Sequence, residues 1–134
     1  MKKKEHKKSN FSILVVDDSS LSGNVISEIL TDAGFTTVEQ CNSAQEAIDN
    51  PNEVHCYIVD VVMPKKSGIE LAKEITSQQK EKCILMISSL DSENILIESI
   101  ASGAKDFLKK PFSKDQLIFS MENLYKYAIE QKIF

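Results

Sequence analysis

Cys56-Tyr57-Ile58-Val59-Asp60-Val61-Val62 is a seven-residue run with one charged residue inside it. Its β-branched and aromatic side chains read as a strand. The apolar residues are continuous and do not alternate with polar ones, which is the pattern of a strand covered on both faces. Asp60 breaks that pattern. A carboxylate buried there without a partner would cost several kcal/mol, so the run predicts both a covered sheet and a chemical reason for the acid.

Working outward, the same signal recurs on either side. Ile13–Val16 is a short apolar run, and Thr37–Gln40 is a weaker one. Downstream lie Cys83–Ile87, closed by Ser88-Ser89, and Asp106–Lys109, closed by Lys110-Pro111. Helical periodicity fills the gaps. Ser19 or Ser20 can cap a helix carrying Leu21, Val25 and Ile29, with Ile26 and Leu30 beside them, ended by Gly34. Ser43 can cap a short helix through Ala44, Ala47 and Ile48, stopped before Pro51. Ile69, Ala72 and Ile75 mark a third helix. Asp91 or Ser92 can cap a fourth, with Ile95, Leu96 and Ile100, ended by Gly103. Ser113 and Gln116 form a capping box for the last helix, whose stripe is Leu117, Met121, Leu124 and Ala128, broadened by Ile118, Tyr125 and Ile129. That helix is expected to run nearly to Phe134; Phe119, Tyr127 and Phe134 lie off its stripe. Strand-helix alternation calls for parallel strands, because these need crossover connections.

The length of 134 residues suits one domain. A hydrophobic fraction of 42% argues against global disorder. The net charge of −4 does not suggest nucleic acid as a partner. No apolar run approaches the roughly 18 residues of a membrane span, and the basic start lacks the rest of a signal peptide. The chain is read as cytoplasmic. All 16 basic residues are lysines, so no guanidinium fork is present to grip a phosphate. Five of the lysines fall in residues 1–10, expected to be a flexible, solvated tail. Cys41, Cys56 and Cys83 have no metal-like spacing and read as reduced thiols in apolar surroundings. His6 and His55 have no neighbour in sequence that suggests catalysis.

In a parallel sheet every carboxyl-terminal strand end lies on one edge. Asp17-Asp18, Asp60, Ser88 and Lys110 each stand at such an end, so three acids, a hydroxyl and an ammonium converge. Open parallel sheets bind ligands at that edge, where the strand order reverses. Three crowded carboxylates repel one another and make sense around a hard cation, for which Mg²⁺ is the natural candidate. A carboxylate beside a metal suggests phosphoryl transfer. Asp60 would be the nucleophile, while Mg²⁺ and Lys110 neutralise phosphoryl oxygens and Ser88 donates to another.

Ile13-Leu14-Val15-Val16-Asp17-Asp18, Ile58-Val59-Asp60-Val61-Val62-Met63-Pro64 with Gly68, Ile84-Leu85-Met86-Ile87-Ser88-Ser89, and Gly103-Ala104-Lys105-Asp106-Phe107-Leu108-Lys109-Lys110-Pro111-Phe112 together resemble the receiver domain of bacterial two-component response regulators. The resemblance covers about residues 11–130. It implies a flavodoxin-like, doubly wound α/β domain over residues 11–134, with five parallel strands in the order 2-1-3-4-5 and five helices. It implies that Asp60 accepts the phosphoryl group, with Asp18, Asp60 and the Val62 backbone carbonyl as Mg²⁺ ligands and Asp17 holding a metal-bound water. Lys110 would contact the phosphoryl group, Ser88 would swing toward it, and Phe107 would follow. The Lys110-Pro111 bond is expected to be cis. No other cofactor is implied.

The expected function is a phospho-accepting signalling switch. A histidine kinase or a histidine phosphotransfer protein would supply the phosphate. An output protein would read the face made by the fourth helix, fifth strand and fifth helix, with the domain a monomer or a phosphorylation-dependent dimer. It would be no enzyme beyond its own phosphoryl transfer and autodephosphorylation. The alternatives are a pseudo-receiver that only binds partners, and a Mg²⁺-dependent phosphohydrolase with an aspartyl nucleophile. The latter wants an acid two residues after the nucleophile, where this chain has Val62. Two departures from common receivers stand out: Gly23 replaces a basic residue on the first helix, and Ser88 replaces Thr.

Overall fold

The computed structural model describes residues 6–78, 81–90 and 92–134. Strands β1 (Ile13–Val16), β2 (Val38–Cys41), β3 (Cys56–Asp60), β4 (Cys83–Ser88) and β5 (Asp106–Lys109) alternate with helices α1 (Ser20–Asp32), α2 (Ala44–Asp49), α3 (Gly68–Thr76), α4 (Glu93–Ala101) and α5 (Lys114–Glu130). All neighbouring strands pair in parallel, in the order β2-β1-β3-β4-β5. The expected fold class and order are those observed. Among the described residues, no helix is long and apolar enough to cross a membrane.

The strands divide their side chains between two cores. Ile13 and Val15 of β1 join Ile58, Leu85 and Ile87 under α1 and α5. Leu14 and Val16 join Val59, Ile84 and Met86 under α2 and α3. This two-sided burial explains the unbroken apolar runs: β1 and β4 are buried at every position. Cys56 and Cys83 are buried free thiols, and Cys41 is half-buried.

Side-chain bonds fix the helix starts, as the sequence suggested for every helix but α3, whose cap Ser67 it did not single out. Ser19, Ser43, Ser67, Ser92 and Ser113 each accept a backbone N–H of the first turn. Ser92 caps α4; the alternative, Asp91, lies outside the described residues.

Several expectations need correction. β3 ends at Asp60 and not at Val62, because the Asp60 carboxylate accepts the Val62 N–H at 3.0 Å and turns the chain out of the sheet. α5 stops at Glu130. Lys132 adopts a left-handed conformation, and the chain folds back so that Ile133 and Phe134 are buried, with the Ile133 N–H bonded to the Ala128 carbonyl. On α1, Leu21 is 75% exposed and Val25 also faces solvent; Gly23, Ile26 and Leu30 face the sheet instead. Gly23 lies close to β2: a Cβ there would come 2.7 Å from Oε1 at the tip of the exposed Gln40 side chain, which can turn aside. On α4, Leu96 and Ile100 face solvent while Ser99 is buried. The α3–α4 contact is too close for larger groups: Thr76 Oγ1 donates to the Ser102 carbonyl, and a Cβ on Gly103 would meet the Thr76 methyl at 2.2 Å. Phe119 is 69% exposed.

Part of the lysine-rich segment is described. Lys8 pairs with Glu122 of α5 and lies over the Phe35 ring, and the Tyr125 hydroxyl donates to the His6 carbonyl. Residues 1–5, with Lys2, Lys3 and Lys4, lie outside the described residues.

Candidate functional site

Parallel pairing brings the carboxyl ends of β1, β3, β4 and β5 to one edge. From β1 the chain runs outward to β2, then returns to β3 on the other side. The reversal leaves a crevice between the ends of β1 and β3, and Asp17, Asp18 and Asp60 meet there. One carboxylate oxygen of each lies within 4.8 Å of the others. Asp17 is 1% exposed and Asp60 7%, while Asp18 is exposed.

Lys110 reaches in from the end of β5. Its ammonium donates to Asp60 Oδ2 at 3.0 Å and to Asp17 Oδ2 at 3.1 Å. Burial raises the Asp60 carboxyl above its ordinary value, although the bonds from Lys110 and the Val62 N–H pull the other way. Burial also works against the charge on Lys110. The two carboxylate bonds outweigh it, and the ammonium is held more firmly protonated than usual. The Lys110-Pro111 peptide is cis.

Ser88 and Phe107 arrive less directly. Ser88 is buried at the same edge, where its Oγ accepts the Leu90 N–H at 2.9 Å. Phe107 is half-buried and packs against the core beneath α3. Val62 meets the site through its N–H on Asp60 Oδ1.

Two residues beyond the expected set shape the edge. Gly68 starts α3 against the end of β3, where a Cβ would lie 2.2 Å from the Asp60 carbonyl oxygen. Its N–H bonds the Val61 carbonyl. Gly68 is visible in the sequence as part of the loop after Asp60. Asn42, after β2, donates from Nδ2 to the Asp17 carbonyl and to Ser20 Oγ, both at 3.1 Å. No local sequence signal marks Asn42; only the strand order sets it beside Asp17.

The donor set suits a hard cation. Every group is a carboxylate oxygen; three carboxylates share the crevice with one ammonium that bonds two of them, leaving an excess of negative charge for a cation to balance. A nucleophilic carboxylate, an ammonium beside it and an oxygen-lined cation site are the parts that phosphoryl transfer needs.

Comparison with known proteins points to one family. The family profile of the response regulator receiver domain matches residues 13–122. A chemotaxis protein CheY of Thermotoga maritima is 30% identical over 116 residues, covering 85% of this chain and 97% of that protein. Among solved structures, the Vibrio cholerae chemotaxis protein CheY4 superposes with a TM-score of 0.76 at 32% identity, covering 85% of this chain and 98% of that one. A chain of the CheX–CheY–BeF3–Mg complex from Borrelia burgdorferi does so with a TM-score of 0.76 at 26% identity, covering 86% and 89%.

Proposed function

This chain belongs to the response regulator receiver domain family, and we propose that Asp60 is the residue through which it works. As a receiver it is a phosphoryl-accepting component of two-component signalling, with a kinase or phosphotransfer protein upstream and an output protein downstream. Residues 11–134 form the receiver in our reading, and residues 1–10 a lysine-rich extension.

The observation that carries the assignment is the geometry around Lys110. A single ammonium lies 3.0 Å from Asp60 and 3.1 Å from Asp17 in a crevice shared with Asp18. In our proposal an Asp60 oxygen attacks the phosphorus of a phosphohistidine. The new P–O bond forms as the P–N bond breaks, and the imidazole leaves with the electron pair. Lys110 stays beside the phosphoryl oxygens and offsets their charge. Asp18, Asp60 and the Val62 carbonyl would hold Mg²⁺, with Asp17 binding one of its waters. When bound, the ion supplies positive charge to phosphoryl oxygens and relieves carboxylate repulsion. Ser88 would then leave the Leu90 N–H and donate to a phosphoryl oxygen, and Phe107 would move into the space vacated.

That movement would be read on the face of α4, β5 and α5, where Leu96, Ile97 and Ile100 are exposed. We place the exchange in the cytoplasm. A pseudo-receiver is the weaker reading, since Asp17, Asp18, Asp60, Ser88 and Lys110 all stand at one edge.

The domain would also catalyse loss of its own phosphate, slowly. Val62 and Leu90 are both solvent-facing beside the site, and neither side chain can hydrogen-bond an attacking water. Phosphate decay should quicken when Val62→Asn and Leu90→Glu are combined; an unchanged lifetime would refute that part.

Intact-mass measurement after incubation with acetyl phosphate and Mg²⁺ tests the assignment. Wild type should gain one phosphoryl group and Asp60→Asn none. A label that persists in Asp60→Asn, or none in folded wild type that binds Mg²⁺, overturns it.

A further inference from the structure

Asp18 is the least supported member of the acid cluster. Asp17 and Asp60 are drawn inward by Lys110. Among the described residues, no hydrogen bond or ion pair of the Asp18 side chain accompanies them, and Asp18 is exposed. The two buried carboxylates beside it repel its charge. Its place must therefore be set by the backbone on either side.

The Ser19 N–H donates to Asp17 Oδ1 at 2.9 Å across Asp18, and Asn42 adds a second link. Its carboxamide nitrogen bonds the Asp17 carbonyl on one side of Asp18 and the Ser20 hydroxyl on the other, at 3.1 Å each. Asn42 is itself anchored from both directions. Its backbone N–H donates to Glu46 Oε2 at 2.7 Å, and the carbonyl of the preceding Cys41 accepts the Asp17 N–H at 3.1 Å. The chemistry asks for an amide: one NH₂ group offers two donors in a fixed plane, whereas a carboxylate offers none and would add a fourth negative charge.

We propose that Asn42 is a positioning residue that holds the Asp17–Ser20 loop so that Asp18 can share a cation with Asp17 and Asp60. This rests on the reading of the acid cluster as the Mg²⁺ site. Groups that orient metal ligands typically govern about ten- to a hundredfold in affinity. Asn42 acts on the loop and not on a ligand oxygen, so the lower end of that range applies.

The test is Mg²⁺ titration by calorimetry, paired with urea denaturation without the ion. Asn42→Ala should bind Mg²⁺ about tenfold more weakly. Ser20→Ala, which leaves the Asp17 bond, should lose about threefold, and Ser20→Thr, which keeps a hydroxyl, should match wild type. In the double variant Asn42→Ala with Ser20→Ala, the serine change should add nothing, because both residues act through one link. Asn42→Ala within twofold of wild type overturns the proposal, whatever its stability. So does full additivity in the double variant. Should Asn42→Ala not fold, Ser20→Ala decides: an affinity equal to wild type overturns the proposal. Wild type that does not bind Mg²⁺ overturns the reading of the cluster and this inference with it. Binding that is indifferent to Asn42 overturns this inference alone.

Discussion

At the amino edge of the sheet, Phe11 lies against Phe35, His55, Tyr125 and Phe134, with ring centroids 5.3–6.2 Å apart. His55 Nδ1 accepts the Ser12 N–H at 2.9 Å, while Nε2 meets Glu53 at 2.8 Å. At the carboxyl edge, one ammonium serves two buried carboxylates and a third stands exposed beside them. The first edge joins rings to rings, pairs worth about 0.5–1.5 kcal/mol each beyond their burial. The second holds charges in an arrangement that folding alone does not favour. The difference teaches where this domain keeps its stability and where it gives some up to hold a reactive group.

If the amino edge carries stability, emptying it should be the most damaging change. Phe11 is fully buried, and Phe11→Ala should cost about 3–5 kcal/mol in urea denaturation. Phosphoryl labelling of the fraction that stays folded should persist. Loss of labelling in folded protein would mean that the two edges are coupled.

Gly68→Ala sharpens the contrast, because it strikes the carboxyl edge through space and not charge. The added carbon would lie 2.2 Å from the Asp60 carbonyl oxygen and 2.9 Å from Val59 Cγ1. Relief requires α3 or β3 to move, at about 1–3 kcal/mol. Because the blocking atom belongs to Asp60, labelling by acetyl phosphate should fall by more than the stability loss explains. Unchanged labelling kinetics would show that Asp60 tolerates a displaced backbone.

The third change should act in the opposite sense. Burial raises the Asp60 carboxyl above its unfolded value. A group shifted upward contributes its full stability below the unfolded value, about 3.9 for Asp, and loses it as pH rises through the folded one. At neutral pH the ionised group is therefore a net cost without Mg²⁺. Asp60→Asn should raise the Tm at pH 7 by a few degrees, as about 1 kcal/mol does in a domain of this size. The gain should shrink toward zero below pH 4. A lower Tm would mean that the bond from Lys110 outweighs the burial.

The sheet and its reactive edge were largely legible in the sequence, for a physical reason. A strand covered on both faces leaves a continuous apolar run, so Asp60, Ser88 and the Asp17-Asp18 pair stand out as its ends. Helix faces were less legible. The spacing of Leu21, Val25 and Ile29 fits an amphipathic helix as well as that of Gly23, Ile26 and Leu30 does, yet Leu21 and Val25 face solvent and only Ile29 packs against the core. What decides is a contact between elements: Ile26 and Leu30 pack into the core with Ile13 and Val15 of β1. α4 misleads likewise, since its buried position is Ser99, whose hydroxyl bonds the Ile95 carbonyl of its own helix at 2.7 Å. Asn42 was hidden because its partners, Asp17 and Ser20, are more than twenty residues away in the chain. The turn at the end of β3 escaped because Val61 and Val62 look like strand and only the Asp60 carboxylate bends the chain.

The smallest effect bears on whether strain belongs to the carboxyl edge at all. Lys65, in the loop after Asp60, sits at φ 68°, and it would be natural to count this as a further cost of the site. But Lys132, where the chain turns back after α5 toward the aromatic rings, sits at φ 59°. A left-handed conformation costs a residue with a Cβ about 1–2 kcal/mol, part of which glycine returns through its freer unfolded chain. Lys65→Gly and Lys132→Gly should therefore each stabilise by about 0.5–1 kcal/mol in urea denaturation. If both gain equally, strain is an ordinary property of tight turns, and the two edges differ in charge alone. If only Lys65→Gly gains, and labelling slows with it, the Lys65 backbone is held strained for the sake of Asp60.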